Sequence, residues 1–250
     1  MARVVAVIPA RYASQRLPAK PLIDLLGKPM IQRVYEQVKS ATLPTEVVVA
    51  TDDERIAEVV SKFGGVVIMT SNDIKSGSDR VAAVADEVPG DIYVNVQGDE
   101  PLIAPAMVDQ VIRLLLDDTR ADAGTLARRI EDPAELTNPS VVKVTFSDEG
   151  FALYFSRSPI PFVRGTTDYA QWLSQAPFFK HCGIYVFRRE FLLKYSTMRE
   201  TSLERAEKLE QLRILQNGHN IKVGITEYDS ISVDTPEDVE KVLTVLRSTR

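Results

Sequence analysis

The chain has 250 residues, enough to bury a large core, and its 44% hydrophobic and 26% charged content is that of a globular protein. A net charge of −5 disfavours a general nucleic-acid binder, which carries a basic surplus. The single Cys182 excludes an intrachain disulfide and any multi-cysteine zinc or iron–sulfur site, and it reads as a packed thiol. No apolar run approaches the ~18 residues of a membrane span. The N-terminus carries no cleavage-site pattern, so a cytoplasmic protein is expected.

Residues 3–8 (Arg3-Val4-Val5-Ala6-Val7-Ile8) read as a buried strand. It runs into a loop, residues 9–21, with three prolines, three basic residues, no acid and no glycine. A Walker A loop or a Rossmann turn needs glycine so that bare backbone can approach phosphate. This loop must therefore bind phosphate, if it does, through Arg11, Arg16 and Lys20; otherwise it is a solvated basic surface. Apolar positions 30, 31, 34 and 38 then predict a helix entered through Pro29. A strand at 46–51 follows, ending at Asp52, then a helix at 53–63 stopped by Gly64-Gly65, and a strand at 66–70. Short apolar strands alternating with helices predict parallel pairing covered on both faces.

After a polar loop, a helix is expected at about 79–88, a strand at 91–96 and a helix at 105–117. Beyond residue 120 the pattern turns β-rich. Strands are predicted at 123–129, 141–146 and 151–156, the last two joined by a hairpin turn at Ser147-Asp148-Glu149-Gly150. Residues 159–177 look like a long excursion, and 178–187 like another strand. Helices are predicted at 189–198 and 203–217, strands at 221–225 and 230–233, and a final helix at 236–247. Without repeats or flexible linkers, one mixed α/β domain with a β-rich insertion is expected.

The strand at 91–96 delivers Gln97-Gly98-Asp99-Glu100-Pro101 to its carboxyl end, the edge where open α/β sheets bind ligands. Asp99 is the strongest candidate carboxylate there; a turn or cap is the alternative. Asp234 is its counterpart. Thr235 suits an N-cap, Pro236 the first helical position and Asp238 a capping box, so capping does not require Asp234. A hard cation such as Mg2+ needs one or two carboxylates besides phosphate oxygens. Of the two histidines, His219 sits in a helix-terminating turn and is expected to be exposed, whereas His181 opens a strand beside Lys180 and can meet an anion. In the predicted helix 203–217, Glu204, Glu207, Glu210 and Gln211 form a polar face, ordinarily solvated. No protein nucleophile can be assembled from so few histidines.

Seven segments, in order, together resemble the 3-deoxy-manno-octulosonate (Kdo) cytidylyltransferase family. They are Ile8-Pro9-Ala10-Arg11-Tyr12-Ala13-Ser14-Gln15-Arg16-Leu17-Pro18-Ala19-Lys20-Pro21-Leu22, Ser76-Gly77-Ser78-Asp79-Arg80, Asn95-Val96-Gln97-Gly98-Asp99-Glu100-Pro101, Tyr154-Phe155-Ser156-Arg157, His181-Cys182-Gly183-Ile184-Tyr185, Leu209-Glu210-Gln211-Leu212-Arg213 and Val233-Asp234-Thr235-Pro236-Glu237-Asp238.

The resemblance implies a nucleotide-diphospho-sugar-transferase-like α/β fold, with a mixed, mostly parallel sheet and helices on both faces. It implies a nucleotide-binding part at about 1–120 and 226–250, and a sugar-binding and dimerisation part at about 121–225. It further implies a homodimer, Mg2+, and the reaction CTP + Kdo → CMP-Kdo + pyrophosphate, which serves lipopolysaccharide synthesis. By resemblance, Arg11 and Lys20 hold the triphosphate and Asp99 and Asp234 bind metal. Ala10, Ser76, Gly77, Arg80 and Gln97 shape the nucleotide site. Gln97, Arg157, His181, Tyr185, Glu210 and Gln211 hold the sugar acid. Arg16 is left without a role. Ala19 stands where the family commonly has Gly, and Ser78 where it often has Thr. The alternatives are a cytidylyltransferase for 8-amino-Kdo or sialic acid, or a non-catalytic nucleotide-binding module.

Overall fold

The computed structural model describes residues 2–13, 17–74 and 76–248. The first half alternates strictly: β1 (Val4–Ala10), α1 (Met30–Lys39), β2 (Glu46–Thr51), α2 (Glu54–Lys62), β3 (Val66–Met69), α3 (Gly77–Glu87), β4 (Ile92–Asn95) and α4 (Pro105–Asp117). Next come β5 (Ala123–Arg129), α5 (Pro133–Thr137), β6 (Lys143–Phe146), β7 (Ala152–Ser156), α6 (Tyr169–Gln175) and β8 (Phe179–Arg188). The chain closes with α7 (Arg189–Ser196), α8 (Ser202–Glu207), α9 (Gln211–Gln216), β9 (Ile221–Ile225) and α10 (Pro236–Ser248).

Among the described residues the strands form one sheet, in the order β3-β2-β1-β4-β8-β5-β9, with β6 joining β8 and β7. Pairs β1–β2, β1–β4, β2–β3 and β5–β9 are parallel; β8 runs antiparallel to β4 and β5. The parallel pairing expected from the alternation holds across β3-β2-β1-β4, the centre of the mixed sheet that the resemblance implies. The chain leaves β1 toward β2 and β3, then returns to place β4 on the other side of β1. That reversal opens a crevice at the carboxyl ends of β1 and β4.

Two apolar layers cover the sheet. One buries Ile8, Ile31, Val34, Val49 and Val111 beneath α1, α2 and α4; the other buries Val7, Val81, Phe155, Phe187 and Leu212 beneath α3, α7 and α9. A smaller cluster matters more for the site. Leu25 and Met30, just after the basic loop, pack on Val233 and Val242, with Leu17 and Ile231 against them. This apolar contact brings α10, and the residues before it, back to the start of the chain.

Several expectations require correction. The helix predicted over 203–217 is two short helices. Lys208 closes α8 in the left-handed region (φ 54°, ψ 46°), and Arg213 folds α9 back by a forked pair with Glu204 at 2.6 and 2.8 Å. Residues 230–233 form no strand; their extended backbone is tied by Val233 N–H to Asp99 O at 2.9 Å. The excursion 159–177 contains α6, capped by Asp168, and α5 was not anticipated although Asp132-Pro133 supplies its cap and first position. Helix α3 begins at Gly77, two residues early, because the Ser76 hydroxyl caps Asp79 N–H at 3.0 Å.

Gly98 is required by a close approach. A Cβ there would lie 2.7 Å from the Pro9 carbonyl oxygen, a backbone atom that cannot turn aside. Gly98→Ala should therefore destabilise the fold by about 2 kcal/mol, the cost typical of overpacking. A shift of the urea midpoint at unchanged slope measures it.

Candidate active site

The turn after β1 is held from several sides. Arg55 of α2 stacks on the Tyr12 ring at 3.3 Å, and Ala19 N–H donates to Tyr12 O at 3.2 Å. Ala19 has φ 56°, ψ 27°, a conformation glycine adopts freely and alanine at a cost of about 1–2 kcal/mol. Alanine at this position keeps the turn intact: Leu22 N–H donates to Ala19 O at 2.8 Å, and a short 3-10 turn, Lys20–Leu22, aims Lys20 inward. Arg16 lies outside the described residues.

Lys20 is the hinge of the site. Its Nζ donates to Asp99 Oδ2 at 2.6 Å, to Asp234 Oδ1 at 3.1 Å and to Val233 O at 2.9 Å. Burial works to lower its pKa, but Asp99 and then Asp234 outweigh burial and hold it above the ordinary lysine value. The two carboxylates proposed from the sequence do converge, although Asp234 arrives on an extended segment and not on the strand expected. Thr235 and Asp238 close the N-terminus of α10 between themselves, with Thr235 N–H to Asp238 Oδ2 at 3.1 Å, so the cap does not consume the Asp234 carboxylate, which accepts from Lys20.

A cavity of about 270 Å³ opens beside this trio, lined by Ala10, Arg11, Lys20, Gly77, Arg80, Gln97 and Asp99 among others. Arg11 Nη2 is buried and has no hydrogen-bond partner among the described residues. An unpaired buried cation is costly unless an anion completes it. Arg80 is fully buried; it donates to Asp52 Oδ2 at 3.1 Å and to the Thr70 hydroxyl. Burial holds its pKa below the ordinary arginine value; Asp52 opposes that effect and the neighbouring Arg11 adds to it. Gly77 opens α3, so the positive end of an 11-residue helix also faces the cavity. Ser76 acts as the cap of that helix and does not line the cavity. Three cations and a helix N-terminus around one crevice form a polyanion site.

A second cavity, about 430 Å³, shares Gln97 and Asp99 with the first and adds His181, Lys180, Glu100 and Asp229. His181 Nε2 is 2.9 Å from Thr125 Oγ1, whose single proton has two carbonyl acceptors within reach, Ile184 O at 2.7 Å and Cys182 O at 3.2 Å. The imidazole therefore donates through Nε2, leaving Nδ1 as an acceptor. Burial pushes its pKa down to about 3. A neutral His181 is suited to accept from a hydroxyl and would not draw an anion by charge, the reading that the neighbouring Lys180 left open beside that of an ordinary strand residue. The Tyr185 ring lies 5.1 Å from it. Glu210, whose pKa is raised by burial, accepts from the Ser78 hydroxyl at 3.0 Å. Ser78 thus spends its hydroxyl proton on the Glu210 carboxylate.

Arg157 and Gln211 are placed differently. Arg157 donates to the carbonyls of Glu207, Pro139 and Lys208 at 2.7, 2.8 and 3.3 Å, which braces the bend between α8 and α9. Gln211 is 3% exposed at the start of α9. Glu204 and Gln211 are buried, so the polar face of this region is not solvated as expected. His219 is also not simply exposed: Nδ1 lies 3.2 Å from Asp122 Oδ2 and Nε2 3.1 Å from Lys194 Nζ. The Cys182 thiol is pushed up to about 12 by burial, which suits a packed, unreactive group. Sequence reasoning missed Asn95, fully buried and bonded to the Ser78 hydroxyl at 3.4 Å. The available signal was a polar residue ending an otherwise apolar buried strand.

Among the described residues no three or more His, Cys, Asp and Glu side chains gather as a metal cluster. The donor set nevertheless fits a hard cation. Asp99 and Asp234 both reach one positive charge, the Lys20 ammonium, and Mg2+ takes its remaining ligands from phosphate and water.

With this geometry in hand, the comparisons are direct. Residues 5–221 match the cytidylyltransferase family profile, which defines the class. A 3-deoxy-manno-octulosonate cytidylyltransferase of Geotalea uraniireducens is 53% identical, covering 98% of this chain and 99% of its own. Its namesake in Geobacter sulfurreducens is 52% identical, over 98% and 99%. A solved CMP:2-keto-3-deoxy-manno-octonic acid synthetase complexed with CTP superposes with TM-score 0.93 at 45% identity, covering all of both chains. The chain belongs to the 3-deoxy-manno-octulosonate cytidylyltransferase family. A 4-diphosphocytidyl-2C-methyl-D-erythritol synthase of Anaerococcus prevotii, 13% identical over 98% of this chain and 96% of its own with TM-score 0.63, shares the fold alone.

Glu100 provides a test of the site's electrostatics. Burial, and then the Asp99 charge, raise its pKa to about 7. The unfolded carboxyl ionises first as pH rises, so the stability present below pH about 4.5 is lost on the way to pH about 7. Glu100→Gln should match the wild type in acid and exceed its stability above pH 7 by on the order of 2–3 kcal/mol. Denaturation midpoints across that range measure it.

Proposed function

We propose that the protein transfers CMP from CTP to the anomeric hydroxyl of Kdo, releasing pyrophosphate, and so activates Kdo for lipopolysaccharide synthesis in the cytoplasm. The observation that carries this reading is the Lys20 ammonium shared by Asp99 and Asp234 in one crevice with the unpartnered Arg11 Nη2. Cations for a triphosphate and carboxylates for a metal meet there at a single point.

The reaction is an in-line displacement at the α-phosphorus. A bond forms from the sugar oxygen, the bond to the bridging oxygen of pyrophosphate breaks, and the hydroxyl proton leaves to water. Arg11, Lys20 and the N-terminus of α3 neutralise charge on the departing pyrophosphate. Arg80 and Gln97 border the nucleotide, with Ala10 leaving room for it. His181 Nδ1 accepts a sugar hydroxyl, and Gln97, Tyr185 and Glu210 orient the ring, while Arg157 and Gln211 fix the bend that carries Glu210. Asp99 and Asp234 would hold Mg2+, which when bound would supply charge withdrawal at the α-phosphate and lower the pKa of the attacking hydroxyl. No covalent enzyme intermediate is needed; positioning and charge supply the catalysis.

The protein acts as a homodimer in this reading. Support comes from the β-rich part, where an apolar cavity of about 820 Å³ between β6, β9 and Pro161 is bordered by exposed Ile225, with exposed Phe162 beside it. Among the described residues no helix is long and apolar enough to cross a membrane.

A pyrophosphate-release assay over CTP, UTP, GTP and ATP, each with Kdo, 8-amino-Kdo or sialic acid and with or without EDTA, tests the reaction. Release is expected with CTP and Kdo and is expected to stop with EDTA; no release with any pair would leave only a binding module. Asp99→Asn should lower kcat by at least ~100-fold, the scale of a lost electrostatic stabiliser, measured on protein shown by circular dichroism to be folded at the assay temperature. Near-normal turnover would sink the two-carboxylate mechanism. Arg11→Met should weaken CTP binding at least ~10-fold, read by calorimetry, without destabilising the free protein, because it removes a buried guanidinium nitrogen that has no partner among the described residues.

A further inference from the structure

Asp234 reaches the site on an unusual support. Between β9 and α10, residues 226–235 form neither strand nor helix. Backbone bonds tie this segment at both ends: Thr226 N–H donates to Ala127 O and Val233 N–H to Asp99 O, each at 2.9 Å. Between these ties Ile231 packs against the Leu25 and Val233 cluster, and Asp229 is held from the sheet by two cations. Arg128 of β5 donates to Asp229 Oδ2, and Lys180 of β8 lies 3.6 Å from Asp229 Oδ1. Lys180 is itself fixed by Glu135 of α5 at 2.6 Å. The grip stands on the wall of the second cavity, and neither Arg128 nor Asp229 lines the first.

We propose that Arg128, Lys180 and Asp229 form a positioning clamp that sets Asp234 opposite Asp99, and so tunes the affinity of the divalent-cation site. The proposal rests on the reading that these two aspartates hold Mg2+. A ten-residue stretch without a ladder of its own has low local stability, so its conformation depends on few anchors. Asp234 is fixed locally by Lys20, by the Val233 tie and by its own N–H to Asp238 Oδ2 at 3.2 Å, and the clamp sets the course of the chain that leads into these contacts. Asp229 is 54% exposed at its side chain and Arg128 29%, so the clamp has limited leverage. A partly exposed ion pair of this kind corresponds to about a fivefold change in the cation's affinity.

The test is a titration of the full-length protein with Mn2+ in the presence of CTP, read by electron paramagnetic resonance. The variants are Asp229→Asn, Arg128→Met, the double variant and Asp234→Asn. Asp229→Asn and Arg128→Met should each weaken Mn2+ binding about fivefold. The double variant should be no weaker than either, because both break one clamp. CTP affinity without metal should stay at the wild-type value, and so should the thermal midpoint, within about 2 °C for a weak surface pair in a chain of this size. A purely structural role would move the midpoint and leave the cation affinity alone. Wild-type Mn2+ affinity in Asp229→Asn and Arg128→Met, with binding lost in Asp234→Asn, overturns the clamp alone. Wild-type affinity in Asp234→Asn overturns the metal reading and the clamp with it.

Discussion

One ammonium group organises this molecule. Lys20, 14% exposed at its side chain, lies between carboxylates 79 and 214 positions away in the sequence. Neither carboxylate could approach the other so closely without a cation, and Lys20 could not sit so deep without them. The mutual requirement is electrostatic and sharp: burial disfavours each charge singly and tolerates the group together. It also explains how the free protein holds an electropositive crevice and a pair of metal-ready carboxylates without repulsion between the aspartates.

Apolar packing puts the trio where it is. Leu25, Met30, Val233 and Val242 form a cluster separate from the two main layers, and it joins the beginning of the chain to its end. The parallel pair β1–β4 fixes Arg11 and Asp99 at adjacent strand ends, with Gly98 allowing the turn to pass the Pro9 carbonyl. Chemistry then follows from what is left unpaired. Arg11 keeps a buried Nη2 without a partner among the described residues, while Arg80 is neutralised by Asp52. The site is thus partly prepaid with structural ion pairs and partly open to an anion.

The side that would receive the sugar is built on different physics. His181 is neutral and presents an acceptor, Glu210 is pushed toward its protonated form by burial, and Ser78 and Asn95 complete a chain of hydroxyl and amide groups. A polyhydroxylated ligand is recognised by such alternation of donors and acceptors. Arg157 contributes by fixing the backbone around the bend at Lys208, which determines where Glu210 points.

Much was legible in the sequence because it is local. Alternating apolar runs gave the first five elements almost to the residue; the missing glycine excluded a backbone phosphate loop; and Thr235, Pro236 and Asp238 relieved Asp234 of capping. The motifs in order carried the family. Non-local facts were not legible. The polar stretch 203–217 reads as one solvated helix until Arg213 meets Glu204 and Lys208 takes a left-handed turn. Residues 230–233 read as a strand until no neighbouring edge is there to pair with them. His181 looks like an anion ligand until burial removes its charge. The sequence by itself determined which groups this protein can bring to phosphate and metal, since residue types and local periodicity are written in it. Only the tertiary structure decided which of those groups are charged, paired or left open, because desolvation and long-range contact exist only once the chain has closed on itself.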